Sequence, residues 1–227
     1  MSESVIFDVD GVLTDSYQPH FLAWQRLFAE IEVAFDEDQF RGTFGRTNAD
    51  IFSELFPGGL SDERICALGD RKEFLYREIL REQFEPMPGA VELIDVLHEA
   101  GFALGVGSSG PPENIELTLE MLGRAENFAA VVTGIDVTRG KPDPQVFLLA
   151  AERLGLAPQA CAVVEDAPQG IEAANRAGMA SIALTGTATR EALSHADLVV
   201  DRLGELTPQR IGELIEGGAR GLSSQLT

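Results

Sequence analysis

Two aspartates near the start of the chain follow a short apolar run and are separated by a single residue. Residues 5–7 favour a buried strand, and Asp8 and Asp10 come directly after them, before Gly11. In extended backbone alternate side chains share a face, so the two carboxylates can point at one ligand. Because neighbouring carboxylates repel each other unless a proton or a cation lies between them, this spacing suits a nucleophile and a general acid/base beside a metal ion.

Polar residues also follow three later apolar runs of the predicted sheet. Ser108 and Ser109 end the second strand, Lys141 lies in the loop after the third, and Glu165 and Asp166 end the fourth. A single polar residue at a strand end is more often a cap or turn residue, but together these groups have complementary chemistry. In open α/β sheets ligands bind outside the carboxyl ends of the strands, so we expect these residues to meet Asp8 and Asp10 in one crevice.

The types of these residues suit the transfer of a phosphoryl group. Asp8, nearer the rigid strand, is the candidate nucleophile, and Asp10 can protonate a leaving oxygen and later deprotonate water. Ser108, with Ser109 beside it, can donate to phosphoryl oxygens. Lys141 can keep Asp8 ionised and neutralise the charge that develops on the phosphoryl group.

The charge balance limits the cations that such a site can use. The chain has a formal net charge of −20, and of its 17 basic residues 15 are Arg and only two, Lys72 and Lys141, are Lys. A lysine in such a chain suggests a need for a compact ammonium. Glu165 and Asp166 add hard oxygen ligands suited to Mg²⁺, which also relieves repulsion among the acids.

Short apolar runs alternate with amphipathic segments along most of the 227 residues. The strand candidates are 4–9, 102–107, 129–133, 161–165, 180–184 and 197–200. The helix candidates are 89–100, 112–123, 143–154, 168–177 and 207–216. This alternation predicts an α/β fold with a doubly wound parallel sheet and right-handed crossovers.

Residues 16–86 break the alternation and contain no convincing strand. They favour helices near 17–32, 36–43, 47–56 and 61–83. We interpret 16–86 as an all-helical cap inserted after the first strand, and 1–15 with 87–227 as the α/β catalytic core.

Composition limits the partners and the location of the protein. The strong negative charge argues against binding to nucleic acid or to an anionic membrane surface. No apolar run approaches the roughly 20 residues that span a bilayer, and no signal-peptide pattern is visible, so we expect a cytoplasmic protein. Nothing in the sequence requires more than a monomer.

The motifs together resemble those of the haloacid dehalogenase superfamily, in the branch of β-phosphoglucomutase-like and CbbY-like enzymes with a helical cap. The matching segments are 8–16 (DVDGVLTDS), Ser108, 140–144 (GKPDP) and 164–171 (VEDAPQGI). The resemblance covers nearly all of residues 3–200. It implies a phospho-aspartyl intermediate on Asp8, Asp10 as acid/base, and Mg²⁺ held by Asp8, the Asp10 carbonyl and Asp166, with Glu165 nearby.

Four cap residues are candidates for contact with substrate. His20 and Trp24 lie four residues apart on one helix face, in a segment similar to the cap linker of β-phosphoglucomutases. Packing at the cap hinge explains this pair equally well. Arg46 and Lys72 are candidate substrate contacts, with a solvated helix charge as the alternative for each.

The destination of the phosphoryl group separates two candidate functions. In the mutases of this branch, the serine that corresponds to Ser108 is followed by a lysine that binds a second phosphate. This chain continues instead with Gly110, Pro111 and Pro112. We therefore expect a Mg²⁺-dependent phosphatase of small sugar phosphates or related phosphorylated metabolites. A sugar phosphomutase is the first alternative and a non-catalytic ligand-binding module the second, and the sequence names no substrate.

Overall fold

Six short strands form one parallel sheet in this computed structural model, which describes residues 3–41, 43 and 47–223. The strands lie in the order β3-β2-β1-β4-β5-β6. Their bounds are β1 (Ser4–Phe7), β2 (Ala103–Gly107), β3 (Phe128–Val132), β4 (Cys161–Glu165), β5 (Ala180–Leu184) and β6 (Leu198–Val200). The predicted doubly wound α/β fold is confirmed, and the order reverses between β1 and β4, where such sheets bind ligands.

The helices of the α/β part follow the predicted alternation. They are α5 (Ala90–Glu99), α6 (Pro112–Leu122), α7 (Gln145–Leu154), α8 (Pro168–Arg176) and α9 (Pro208–Ser223). Helix α9 continues beyond the end predicted at 216, because glycine weakens a helix by about 1 kcal/mol without forbidding it. One core cluster joins Ile6 and Val163 of the sheet to Phe147 of α7 and Ala173 of α8.

Residues 16–85 form a separate compact unit made of helices. These are α1 (Tyr17–Glu30), α2 (Glu37–Arg41), α3 (Asn48–Leu55) and α4 (Asp62–Glu82). An aromatic core holds them together, in which Trp24 stacks on Phe28 and meets Phe52 edge-on at 5.1 Å between centroids.

The chain thus divides into a helical unit, Ser16–Glu85, and a sheet unit, which runs up to Asp15 and resumes at Pro86. The sheet unit resumes at Pro86, one residue before the start at 87 that we expected from the sequence. None of the described helices is long and apolar enough to cross a membrane.

A tight loop after β1 turns the chain at the edge of the sheet. The backbone N–H of Gly11 donates to the carbonyl of Thr14, and that of Leu13 donates to Val9. Gly11 has a φ of +76°, which favours glycine. The loop leaves Asp8 and Asp10 at the carboxyl end of the strand.

Candidate active site

The carboxyl ends of β1, β2 and β4 lie side by side because these strands are neighbours in the sheet. Phe7 pairs with Val106 of β2 on one side and with Val164 of β4 on the other. The next residues along the strands are therefore level with one another. This register brings Asp8 beside Glu165, which ends β4, and beside the turn that carries Ser108.

Lys141 joins two of the predicted acidic clusters. Its Nζ donates to Oδ1 of Asp8 at 2.6 Å and to Oε1 of Glu165 at 2.7 Å. The lysine comes from the loop between β3 and α7, and its ammonium also lies 4.8 Å from the centroid of the Phe147 ring. Asp8, 133 positions before the lysine, and Glu165, 24 positions after it, thus share one cation.

Burial governs the proton affinities of this cluster. Removal from water raises the pKa of Asp8 to about 7, although the charge of Lys141 opposes the change. The same desolvation, with the charges of Glu165 and Asp8, raises the pKa of Asp166 well above its usual value. Burial opposes the charged form of Lys141, but the adjacent carboxylates outweigh it and raise its pKa, so the lysine is protonated.

The carboxylate of Glu165 is buried and bonded through both oxygens. While Oε1 accepts from Lys141, Oε2 accepts from the backbone N–H groups of Asp166 and Ala167, each at 2.8 Å. The residue is 2% exposed. These contacts make Glu165 an anchor for the lysine.

A second group of polar atoms lies in the turn after β2. The Ser108 side chain is buried, and its Oγ accepts from the backbone N–H of Gly110 at 3.1 Å. A β-carbon built on Gly110 would lie 3.4 Å from that Oγ and 3.9 Å from Oδ2 of Asp10. Gly110 therefore lies beside both the serine hydroxyl and the Asp10 carboxylate, while Ser109 is exposed next to them.

The acidic residues fit a hard divalent cation. Asp8 and Asp166 are buried, and Oδ2 of Asp166 has no hydrogen-bond partner in the described part of the chain. Gly11 makes room for this oxygen, since a β-carbon there would lie 2.8 Å from Cγ of Asp166 and closer still to Oδ2. Within the described residues no three His, Cys, Asp or Glu side chains form a metal-binding group. A cation here would therefore need backbone carbonyl and water oxygens as well, as Mg²⁺ does.

The helical unit gathers three of its four candidate residues. Nζ of Lys72 lies 2.8 Å from Nδ1 of His20 and 3.0 Å from Oε1 of Glu73, and the lysine is 3% exposed. It also lies 5.6 Å from the Trp24 ring. Lys72 is therefore a buried cation and not a solvated helix charge. Arg46 lies outside the described residues.

Sequence reasoning assigned no role to two glycines that lie against these residues, Gly134 and Gly170. A β-carbon at Gly134 would overlap the carbonyl oxygen of Ser109, and one at Gly170 would overlap the Glu165 carboxylate. Gly170 lies inside a helix, where glycine costs about 1 kcal/mol relative to alanine. A glycine that weakens its own helix indicates that the position requires the absence of a side chain.

Comparison with known proteins gives matches over most of the chain. A family model described as haloacid dehalogenase-like hydrolase matches residues 3–178. The β-phosphoglucomutase of Bacillus subtilis is 33% identical over 220 residues, which cover 93% of this chain and 94% of that protein. The validoxylamine A 7′-phosphate phosphatase of Streptomyces hygroscopicus is 35% identical over 222 residues, which cover 93% and 99%.

Solved structures match at similar coverage. A β-phosphoglucomutase from Clostridium difficile superposes with a TM-score of 0.84 at 28% identity, covering 96% of this chain and 98% of that one. CbbY from Rhodobacter sphaeroides, solved in complex with phosphate, gives 0.82 at 26% identity, covering 91% and 96%.

Proposed function

Because the chain belongs to the haloacid dehalogenase-like hydrolases, as its motifs suggested, we propose that it is a Mg²⁺-dependent phosphatase of small phosphorylated sugars or related metabolites. The observation that carries the proposal is the buried bridge from Nζ of Lys141 to Asp8. It gives an acidic protein a fixed cation beside a carboxylate positioned to attack an anion. The phosphatases among its relatives support the choice of substrate class.

In the proposed reaction Asp8 acts as the nucleophile. Its carboxylate oxygen forms a bond to phosphorus as the bond from phosphorus to the substrate oxygen breaks, and Asp10 gives its proton to that oxygen. Asp10 then takes a proton from water, whose oxygen attacks phosphorus. The bond from phosphorus to Asp8 breaks, which releases inorganic phosphate and restores the carboxylate.

Two side chains handle the charge of the phosphoryl group. Lys141 favours the ionised form of Asp8 before the attack and stabilises charge on the phosphoryl oxygens during it. Ser108 accepts a hydrogen bond through Oγ, which leaves its hydroxyl hydrogen to donate to a phosphoryl oxygen. Ser109, exposed in the same turn, is a second donor.

The metal would be held by Asp8, Asp166 and the backbone carbonyl of Asp10. When bound, Mg²⁺ supplies positive charge that stabilises the transferring group. We assign Glu165 to the orientation of Lys141, because both of its oxygens already accept hydrogen bonds.

The start of α6 favours hydrolysis over a mutase reaction. Pro111 is the N-cap residue and Pro112 opens the helix, so two backbone N–H donors are missing where a second phosphate would bind. The first turn also carries Glu113, and residues 109–115, which follow Ser108, contain no lysine. A bisphosphate would therefore meet fewer donors and an added negative charge.

A phosphate-release screen tests the proposal. The protein is incubated with Mg²⁺ and a panel of hexose, pentose and hexitol phosphates, and with a generic aryl phosphate. We expect release that requires Mg²⁺ and is abolished in Asp8→Asn. Interconversion of β-glucose 1-phosphate and glucose 6-phosphate without release would favour the mutase, and failure to turn over any substrate would favour a binding module.

A further inference from the structure

A continuous chain of contacts runs from the start of α8 to the proposed nucleophile. The backbone N–H groups of Asp166 and Ala167 hold Oε2 of Glu165, and Oε1 of Glu165 holds Lys141, which contacts Asp8. The position of the lysine thus depends on where the Glu165 carboxylate lies.

The space for that carboxylate is created by Gly170, in the first turn of α8. A β-carbon built on Gly170 would lie 2.5 Å from Oε2 of Glu165 and closer still to Oε1 and Cδ. The glycine is buried, with an ordinary helical φ, so no unusual backbone angle explains its presence. Alanine would favour the helix by about 1 kcal/mol.

We propose that Gly170 is a positioning residue for Lys141, because its missing side chain leaves the space in which Glu165 holds the lysine against Asp8. The inference rests on the proposed function in taking Asp8 as the nucleophile. A methyl group at 170 meets the end of a flexible side chain, so the fold can accommodate it. The carboxylate then moves, and the ammonium of Lys141 moves with it.

A double-mutant cycle on release of phosphate from an aryl phosphate tests this role. We expect Gly170→Ala to lower kcat by on the order of 100-fold, the cost of an ångström-scale misplacement, with little change in KM. In a protein that already carries Glu165→Ala, a methyl group at position 170 has no carboxylate to displace. There Gly170→Ala should alter kcat by less than about twofold. An equal loss in both backgrounds would show that the glycine serves only helix packing and would overturn the proposal.

Gly217→Ala is the matched control, since Gly217 lies in helix α9 and a β-carbon there meets nothing within 4 Å. We expect wild-type kcat from it. If Gly170→Ala alone fails to fold, the double variant with Glu165→Ala should fold, because the overlap is removed. Failure of the double variant to fold would also overturn the proposal.

A second measurement separates this inference from the proposed function. The chain has two lysines, so protein labelled with ¹³C at the lysine ε-carbon gives two signals, which Lys72→Arg assigns. In Mg²⁺-free protein we expect Gly170→Ala to shift the Lys141 signal and leave that of Lys72 unchanged. A shift in a protein without phosphatase activity would support the positioning role while rejecting the function, and an unshifted signal would reject the role.

Discussion

Nδ1 of His20 lies 2.8 Å from Nζ of Lys72 inside the helical unit. A protonated lysine has three donors and no acceptor, so Nζ donates in this contact and Nδ1 accepts. The imidazole also stacks on Tyr76 at 4.0 Å between centroids, which fixes the plane of the ring. The helical unit therefore holds an oriented histidine against a buried lysine.

Replacing Lys72 with methionine should destabilise the protein. The carboxylate of Glu73 is largely buried and would lose the ammonium of Lys72, keeping the hydrogen bond from Asn48, and His20 would lose its contact with Nζ. We expect Lys72→Met to lower the free energy of unfolding by about 3 kcal/mol, measured by urea denaturation. Arg71→Met on the same helix breaks an exposed pair with Glu30 and should cost about 0–1 kcal/mol. Equal losses in the two variants would contradict the buried role of Lys72.

Loss of the amine at position 141 should remove most of the activity. Lys141→Met leaves Asp8 and Glu165 without the cation that they share, so we expect kcat to fall by about 10²–10³-fold. Steady-state release of phosphate measures the loss. Arg139→Ala, in the same loop, removes an exposed pair with Asp143 and should retain activity within about twofold. A Lys141→Met enzyme as active as this control would reject the proposed role.

The strand-end rule predicted from the sequence which polar side chains lie together at one edge of the sheet. It placed Asp8, Ser108, Lys141 and Glu165 at one edge because parallel strands share their direction, and the structure brings three of these into direct contact. Ser108 lies in the adjacent turn, after β2. Pattern was sufficient here because Asp8, Ser108 and Glu165 each come at the end of an apolar run, and Lys141 lies in the loop after another.

The environment of Lys72 could not be predicted in this way. Its partner His20 lies 52 residues away, and helix periodicity does not reveal which face of α4 meets α1. Gly170 was missed for a related reason. A glycine in a helix marks the position, but only the folded chain shows that the Glu165 carboxylate occupies the space beside it.

The capped turn after β3 should make stability depend on acid pH. Hydrogen bonds from Arg153 and from Thr133 lower the pKa of Asp136 below its usual value. A lowered folded pKa means that the stabilisation is present above the unfolded pKa of about 4 and is lost as pH falls through the folded pKa. We expect Asp136→Asn to cost about 1 kcal/mol at pH 7 and progressively less at lower pH, by urea denaturation.

Glu126→Gln provides the control, because Glu126 is exposed in the turn before β3. It should leave the free energy of unfolding within about 0.5 kcal/mol of wild type from acid pH to pH 7. A deficit in Asp136→Asn that persists unchanged at acid pH would contradict the assignment to ionised Asp136.

A side chain at position 134 should disturb the turn that contains Ser108 and Ser109. The backbone N–H of Gly134 donates to the carbonyl of Gly110, and a β-carbon at 134 would overlap the carbonyl oxygen of Ser109 and lie 3.1 Å from its carbon. Because these are backbone atoms, the whole turn must shift. We expect Gly134→Ala to lower kcat/KM for phosphate release by about 100-fold. Gly204→Ala, where a β-carbon meets nothing within 4 Å, should leave it unchanged, and equal activity in the two variants would show that the turn tolerates displacement.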